Sequence, residues 1–181
     1  VRGPFAAWLH THRFVTEGDR TVVRDQVDYA VPMGALGRLV AGAMVRSTVR
    51  RMFQAREVRL VRDLAHHGRF ADRARRRVLI AGASGLVGSQ LVPFLRTGGH
   101  EVVQLVRRPP ANAWERFWDP AEGVLDPECF DGVDAVIHLG GVGIADRRWS
   151  ATRKAAIRDS RVDSTRFLAQ AMAGLRRKPE V

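Results

Sequence analysis

Apolar and polar residues alternate along the first thirty positions of the chain. Trp8, His10, His12 and Phe14 share one face of a period-two run, Glu17-Gly18-Asp19-Arg20 has the composition of a turn, and Val23, Asp25, Val27, Tyr29 and Val31 resume the alternation. A period of two marks half-buried strands, so this stretch predicts an antiparallel hairpin ended by Pro32 and Gly34. From Ala35 to about His67 the period lengthens. Leu36, Leu39, Val40, Ala43, Met44, Val49, Met52, Phe53, Leu60 and Leu64 recur at three and four, with Arg46, Arg50, Arg51, Arg59 and Arg62 mostly between them. That spacing predicts one long amphipathic helix. Two strands and a helix cannot bury so much apolar face alone. Since the chain opens on Val1 rather than Met, more strands are expected ahead of it.

The second half has a different rhythm. Val78-Leu79-Ile80-Ala81 is a continuous apolar run, as expected of a parallel strand covered on both faces. It leads into Gly82-Ala83-Ser84-Gly85-Leu86-Val87-Gly88 and then a helical pattern of Leu86, Val87, Leu91, Val92 and Leu95, closed by Gly98-Gly99. Glu101–Val106 reads as the next strand, Arg116-Phe117-Trp118 as a short one before the Asp119-Pro120 turn, and Ala135–Leu139 as a buried strand ending in Gly140-Gly141. A last helix runs from Ser150 to Gly174, with Ile157, Val162, Phe167 and Leu168 apolar. Strand and helix in alternation predict an α/β fold, here the first half of a Rossmann-type doubly wound parallel sheet, preceded by the hairpin and long helix.

Composition adds limits. With 181 residues and 45% hydrophobic content, the chain can build packed cores, and disorder is excluded as the main state. No apolar run approaches the roughly 18 residues of a membrane helix, and the first residues lack a signal-peptide pattern, so a cytoplasmic protein is expected. One cysteine, Cys129, excludes a disulfide framework or a thiolate metal site. The net charge of +11 is lopsided: residues 1–77 hold 16 arginines against 7 acids, whereas residues 78–181 hold 14 bases against 12 acids. The boundary falls near Arg73-Ala74-Arg75-Arg76-Arg77, which divides the chain into residues 1–68, a basic linker 69–77, and residues 78–181. Arginine stripes attract phosphates and nucleic acid, but no nucleic-acid-binding motif accompanies this one. A solvated helix face is the simpler account.

The candidate chemistry lies in the glycines. Gly82 permits a tight turn after the strand, Gly85 lets backbone amides approach a pyrophosphate, and Gly88 lets the helix pack closely, with its free N–H groups aimed at the phosphates. The strand before and helix after supply the context that a three-glycine motif requires. Residues 82–88 (Gly82, Ala83, Ser84, Gly85, Leu86, Val87 and Gly88) are therefore the expected dinucleotide turn, with Ser84 offering a hydroxyl. At the end of the second strand stand Arg107 and Arg108 with no acid beside them, a pairing that favours the 2′-phosphate of NADP over the 2′-hydroxyl of NAD. Leu139, Gly140 and Gly141 end another parallel strand, where the cofactor would pass close to backbone. His138 reads as a packed strand residue. His10, His12 and Asp25 read as half-buried strand residues without chemistry, no third metal ligand being evident, and no metal is expected.

Two resemblances extend this reading. Trp8-x-His10-x-His12-x-Phe14, Asp25-x-Val27-x-Tyr29-x-x-Pro32-x-Gly34 and a helix ending in Met52-Phe53-x-x-Arg56 resemble the C-terminal end of a START-like helix-grip domain of the polyketide cyclase/dehydrase type. Gly82-x-x-Gly85-x-x-Gly88, Leu105-Val-Arg-Arg-Pro109, Trp118-Asp-Pro120, Asp134–Gly141, Ile144–Trp149 and Lys154-x-x-Ile157-x-x-Ser160-Arg161-Val162 resemble the atypical extended short-chain dehydrogenase/reductases of the NAD(P)-dependent epimerase/dehydratase, nucleoside-diphosphate-sugar-epimerase-like family. The first resemblance implies a helix-grip α+β domain whose long helix closes over an apolar ligand cavity. The second implies the nucleotide roles above, with Arg147, Arg148, Trp149, Lys154 and Arg161 lining or bracing the cleft.

The superfamily's proton-transfer pair, Tyr-x-x-x-Lys, is absent. The one tyrosine, Tyr29, lies in the hairpin. Another parallel strand is expected to begin at Lys178-Pro-Glu-Val181, so the reading expects a piece of a longer protein, holding the dinucleotide-binding half without catalytic residues of its own. Three functions stay open: an NADP-dependent epimerase or oxidoreductase in the whole protein, a non-catalytic dinucleotide sensor with an apolar-ligand domain, and a basic nucleic-acid-binding protein.

Overall fold

The computed structural model describes residues 5–32 and 34–181, the side chains of 34–41 apart. Val1 and the helix positions Leu36, Leu39 and Val40 thus lie outside the described residues. The chain divides into two compact units, Val1–Arg62 and Asp63–Val181.

In the first unit, β1 (Ala7–Glu17) and β2 (Arg20–Ala30) pair antiparallel, from Glu17 opposite Arg20 at the turn to Ala7 opposite Ala30 at the open end. Gly18 takes φ 65° in the tight connection, a backbone state that suits glycine. Phe5, Trp8 and Tyr29 cluster their rings 4.8–6.2 Å apart at the open end. The long helix α1 (Gly34–Gly68) follows with the expected span. Its apolar stripe is largely uncovered, because Met44, Met52, Leu60 and Leu64 are exposed. Val49 and Phe53 are half-buried, Phe53 edge-on to His10 with ring centroids 5.2 Å apart.

The second unit is built on a five-stranded sheet in the order β6-β5-β4-β3-β7. β3 (Arg77–Ala81), β4 (Glu101–Val106), β5 (Glu115–Asp119) and β7 (Ala135–His138) run parallel, and the two-residue β6 (Val124–Leu125) pairs antiparallel with β5. β6 has no counterpart in the sequence pattern. Two residues are too few to show a period. Beyond the free side of β7, the backbone of Glu180 donates to Asp134 O and that of Val136 to Val181 O, each at 2.8 Å. The chain therefore continues beside β7 where a further strand was expected.

Alternation within the strands makes two cores. Leu79, Ala81, Val103 and Leu105 point to one face, joined by Trp118, Cys129, Val133 and Leu168 from α3 (Ala151–Ala173). Val78, Ile80 and Val102 point to the other and pack on Val92, Leu91 and Leu95 of α2 (Gly88–Thr97). α3 starts where expected: Ser150 caps it by accepting the Arg153 N–H at 3.1 Å. Its buried stripe is Ser164 and Leu168 with Phe167 partly covered, whereas the apolar Val162 is exposed. The reason is the angular step: at about 100° per residue, Val162 lies away from the line through 164 and 168.

Truncation of Leu79, 0% exposed at the centre of one core, to alanine is expected to lower stability by about 2–5 kcal/mol. Val162→Ala should change it by less than about 0.5 kcal/mol. Denaturant unfolding followed by tryptophan fluorescence reports both.

Candidate functional site

The strand order reverses at β3. β4 and β5 lie to one side of it and β7 to the other, which leaves a crevice at the carboxyl ends of β3 and β7. The chain is tightest there. The Leu139 N–H donates to Ala81 O at 2.8 Å, so the two strand exits run side by side. Gly82, with φ 82°, turns away immediately after β3; a Cβ on it would sit 2.6 Å from Gly140 N and 2.7 Å from the Leu139 carbonyl carbon. Both the left-handed backbone and the lack of space require glycine.

Gly88 is equally constrained, by a different neighbour from the one its motif suggests. A Cβ there would collide with Gly82 O and lie 2.7 Å from Ala83 Cα, so the helix start packs on the turn itself and not on the body of the strand. Gly85 differs. It has an ordinary φ, and a Cβ would meet only Gly82 O at 3.3 Å. Two of the three glycines thus serve the backbone, and the third keeps the outer surface of the turn bare.

Ala83 is buried among Val78, Ile80 and Val92, whereas Ser84, Gly85, Leu86 and Val87 are exposed. Leu86 is 90% exposed. The sequence pattern counted Leu86 and Val87 into the apolar face of the helix. The structure corrects this, since α2 begins at Gly88 and both residues belong to the turn. Among the described residues, the backbone N–H groups of Leu86, Val87 and Gly88 have no acceptor. Unpaired donors at the positive end of a helix suit an anion, and the missing Gly85 side chain leaves the outer face of the turn open. The residues present fit a pyrophosphate.

The two arginines after β4 separate into different roles. Arg108 forks onto Glu115 through Nη1 at 2.7 Å and Nη2 at 2.6 Å. Glu115, 6% exposed at the start of β5, also accepts the Ala111 N–H at 2.7 Å. These bonds, Arg108 first, hold its carboxyl down to about 2 against the opposing cost of burial. Arg108 is thereby occupied in closing the β4–β5 connection. An acid does stand beside the pair, contrary to expectation, because the parallel register sets Glu115 opposite Gln104. Arg107 is exposed and makes no ion pair among the described residues, so it alone is left to meet an anion.

At the end of β7, His138 is packed, as its strand position implied. Gly140 N–H donates to its Nδ1 at 3.3 Å; its Nε2 therefore carries the proton and donates to Ser164 Oγ at 2.7 Å, and that hydroxyl donates to Ser160 O at 2.6 Å. Burial first, then Arg161, push its pKa below the usual value. A neutral imidazole thus ties the Leu139-Gly140-Gly141 turn to α3. Gly141, with φ 150°, lies against Arg161, whose Nη1 donates to Val142 O at 3.1 Å.

Of the other residues expected along the cleft, Trp149 donates to Ile144 O at 2.9 Å, while Arg147, Arg148 and Lys154 are exposed without an ion pair among the described residues. The brace that the pattern missed is Arg153, which donates to Gly143 O at 2.5 Å and faces Asp146. Only the fold of the 142–146 loop brings these groups together. Cys129 is buried, and that burial pushes its thiol up to about 12, which removes it as a nucleophile at neutral pH.

Residues 78–179 match the NAD dependent epimerase/dehydratase family. An epimerase family protein of Mycobacterium tuberculosis is 50% identical over 96 residues, covering 53% of this chain and 32% of that protein. The human epimerase family protein SDR39U1 is 32% identical over 106 residues, 58% of this chain and 34% of its own length. The crystal structure of the nucleoside-diphosphate sugar epimerase from Corynebacterium glutamicum superposes on 97% of this chain and 34% of its own, with a TM-score of 0.70 and 35% identity. The chain thus spans about a third of the length of these relatives.

His138 predicts an acid-sensitive stability. Its folded pKa lies below the ordinary 6.5, so the unfolded state binds the proton first. Its contribution is complete above about pH 6.5 and declines as pH falls below that value, ahead of the carboxylates. In urea unfolding from pH 7.5 to 5, His138→Gln is expected to be less stable at pH 7.5 and to lose this part of the slope.

Proposed function

This chain belongs to the NAD dependent epimerase/dehydratase family, and on that premise we propose that its second unit binds a nicotinamide dinucleotide, NADP in preference to NAD, for an epimerase or oxidoreductase reaction of the whole protein. The observation that carries the reading is the turn of residues 82–88. Gly82 and Gly88 force it into shape, and Gly85 leaves its outer face open to a pyrophosphate beneath the unpaired N–H groups of Leu86, Val87 and Gly88. When bound, the nicotinamide supplies a hydride acceptor or donor. The residues of this chain hold and orient it: Ser84 adds a hydroxyl beside the phosphates, and Leu139, Gly140 and Gly141 present backbone at the adjacent strand end. Arg107 meets the 2′-phosphate, while Arg108 neutralises Glu115, the acid that would otherwise oppose that charge.

The remaining assignments belong to the same proposal. Residues 1–68 are the C-terminal part of a START-like helix-grip domain that holds an apolar small molecule, 69–77 a basic linker, and 78–181 the dinucleotide-binding half. The coverage of 97% of this chain by the Corynebacterium glutamicum epimerase supports treating both units as parts of one larger architecture. For the basic segment we favour a structural role over nucleic-acid binding. Arg76 pairs with Glu180 at 2.8 Å, and Arg77 reaches Glu101 at 3.3 Å, so part of the arginine run is used inside the second unit. A sensor reading shares the dinucleotide site and differs only in lacking turnover. The chain has no Tyr-x-x-x-Lys pair, and its one tyrosine, Tyr29, sits in the ring cluster of the hairpin, so this reading takes the proton donor of the whole protein from outside these residues.

Two variants test the cofactor assignment. Gly85→Val should abolish NADPH binding, measured by calorimetry, while far-UV circular dichroism stays unchanged, because a Cβ there meets only Gly82 O, at 3.3 Å. Arg107→Ala should weaken NADPH more than NADH. Equal losses for the two cofactors would remove Arg107 from the 2′-phosphate, and unchanged NADPH affinity in Gly85→Val would remove the turn from the site.

A further inference from the structure

We propose that the first unit carries a binding site for one divalent transition-metal ion of the Zn2+ class, formed by His10, His12 and Asp25. Nothing in the dinucleotide reading uses these residues. The sequence treats them as separate strand positions, and the hairpin register joins them. His10 and His12 are two apart on β1 and share a face, while Asp25 on β2 lies directly opposite His12. The two imidazole rings have centroids 3.9 Å apart. His12 Nδ1 lies 2.5 Å from Asp25 Oδ1, and His10 Nε2 lies 3.7 Å from the same oxygen. All three residues offer a ligand atom within 4.8 Å of the others.

Three further features suit a metal better than a surface hydrogen bond. His10 Nε2 is buried and has no hydrogen-bond partner, a cost that a bound cation would remove. Asp25 divides its oxygens: Oδ1 faces the histidines and Oδ2 is held by Arg56 at 3.3 Å. A monodentate carboxylate anchored through its second oxygen is the usual outer support of a metal ligand. Phe53, edge-on to His10, fixes that ring from the other side. Two imidazoles and one carboxylate suit zinc and its neighbours, with at least one coordination position left open.

Tetrahedral ligation at about 2.0–2.1 Å sets donor atoms roughly 3.3 Å apart. The His10–Asp25 spacing is already close to this. The His12–Asp25 contact has to open by under about 1 Å, and the proton it shares moves to His12 Nε2, so that the neutral ring binds through Nδ1.

The test uses the tag-free 181-residue chain, stripped with chelator and titrated with Zn2+ and Co2+ by calorimetry. One ion per chain is expected. His10→Ala and Asp25→Asn should each weaken binding by more than the roughly 10- to 100-fold expected of Arg56→Gln, and His66→Ala should leave it unchanged. Because His10 also packs on Phe53, the Co2+ absorption of the unmodified chain is read in parallel, and the intense visible bands of a low-coordinate site are expected. Absence of saturable binding, the spectrum of the hydrated ion, or equal affinity in His10→Ala and Asp25→Asn would each overturn the site.

Discussion

The second unit depends on one steric fact: two backbones pass each other between β3 and β7 with no room for a side chain. Gly82 turns the chain at φ 82° within 2.6–2.8 Å of where a Cβ would strike the Leu139-Gly140 peptide. Everything near the crevice follows from that approach. Because the turn is tight, α2 can start against it, with Gly88 on the Gly82–Ala83 backbone. Because α2 starts there, its first N–H groups have no acceptor among the described residues. These free donors are a by-product of packing in which side chains contribute mainly by their absence.

A second layer of interactions holds this backbone in place by neutralising charge. Arg108 and Glu115 close the β4–β5 connection, Arg77 Nη1 meets Glu101, the Asp134 carboxylate accepts the Arg77 backbone N–H, and Arg161 and Arg153 hold the carbonyls of Val142 and Gly143. Arginine suits such places because one planar fork satisfies two acceptors at once. The chain's preference for arginine is therefore partly architectural. Its net charge says less about partners than the bare count of 30 bases against 19 acids suggests. His138 adds the neutral counterpart, a ring whose two nitrogens are both used, so that the β7 exit is fixed without a charge in the core.

The hairpin and long helix show where a sequence pattern stops informing. Period two and then a period near 3.6 mark their extent to within a residue or two, since periodicity reports which positions share a face. It does not report what covers that face. Met44, Met52, Leu60 and Leu64 repeat as a core stripe should, yet they remain exposed among the described residues. The same pattern placed Leu86 and Val87 in a helix that starts after them. At a helix N-terminus, apolar spacing is blind to where hydrogen bonding begins, and the steric demand of Gly88 decides it.

By itself, the sequence determined the order and type of the main elements, the parallel character of the apolar strands and the position of the glycine turn. Each is a local property, read from neighbours a few residues apart. It could not determine that Arg108 would be spent on Glu115 and leave Arg107 open, that Arg153 would brace the 142–146 loop, or that Asp25 would arrive beside His10 and His12. Those outcomes join residues 7, 10 and 13 to 15 positions apart through strand register and loop closure. Only the tertiary structure decides them, because a register shift of a single residue would turn the same side chains to opposite faces of the sheet.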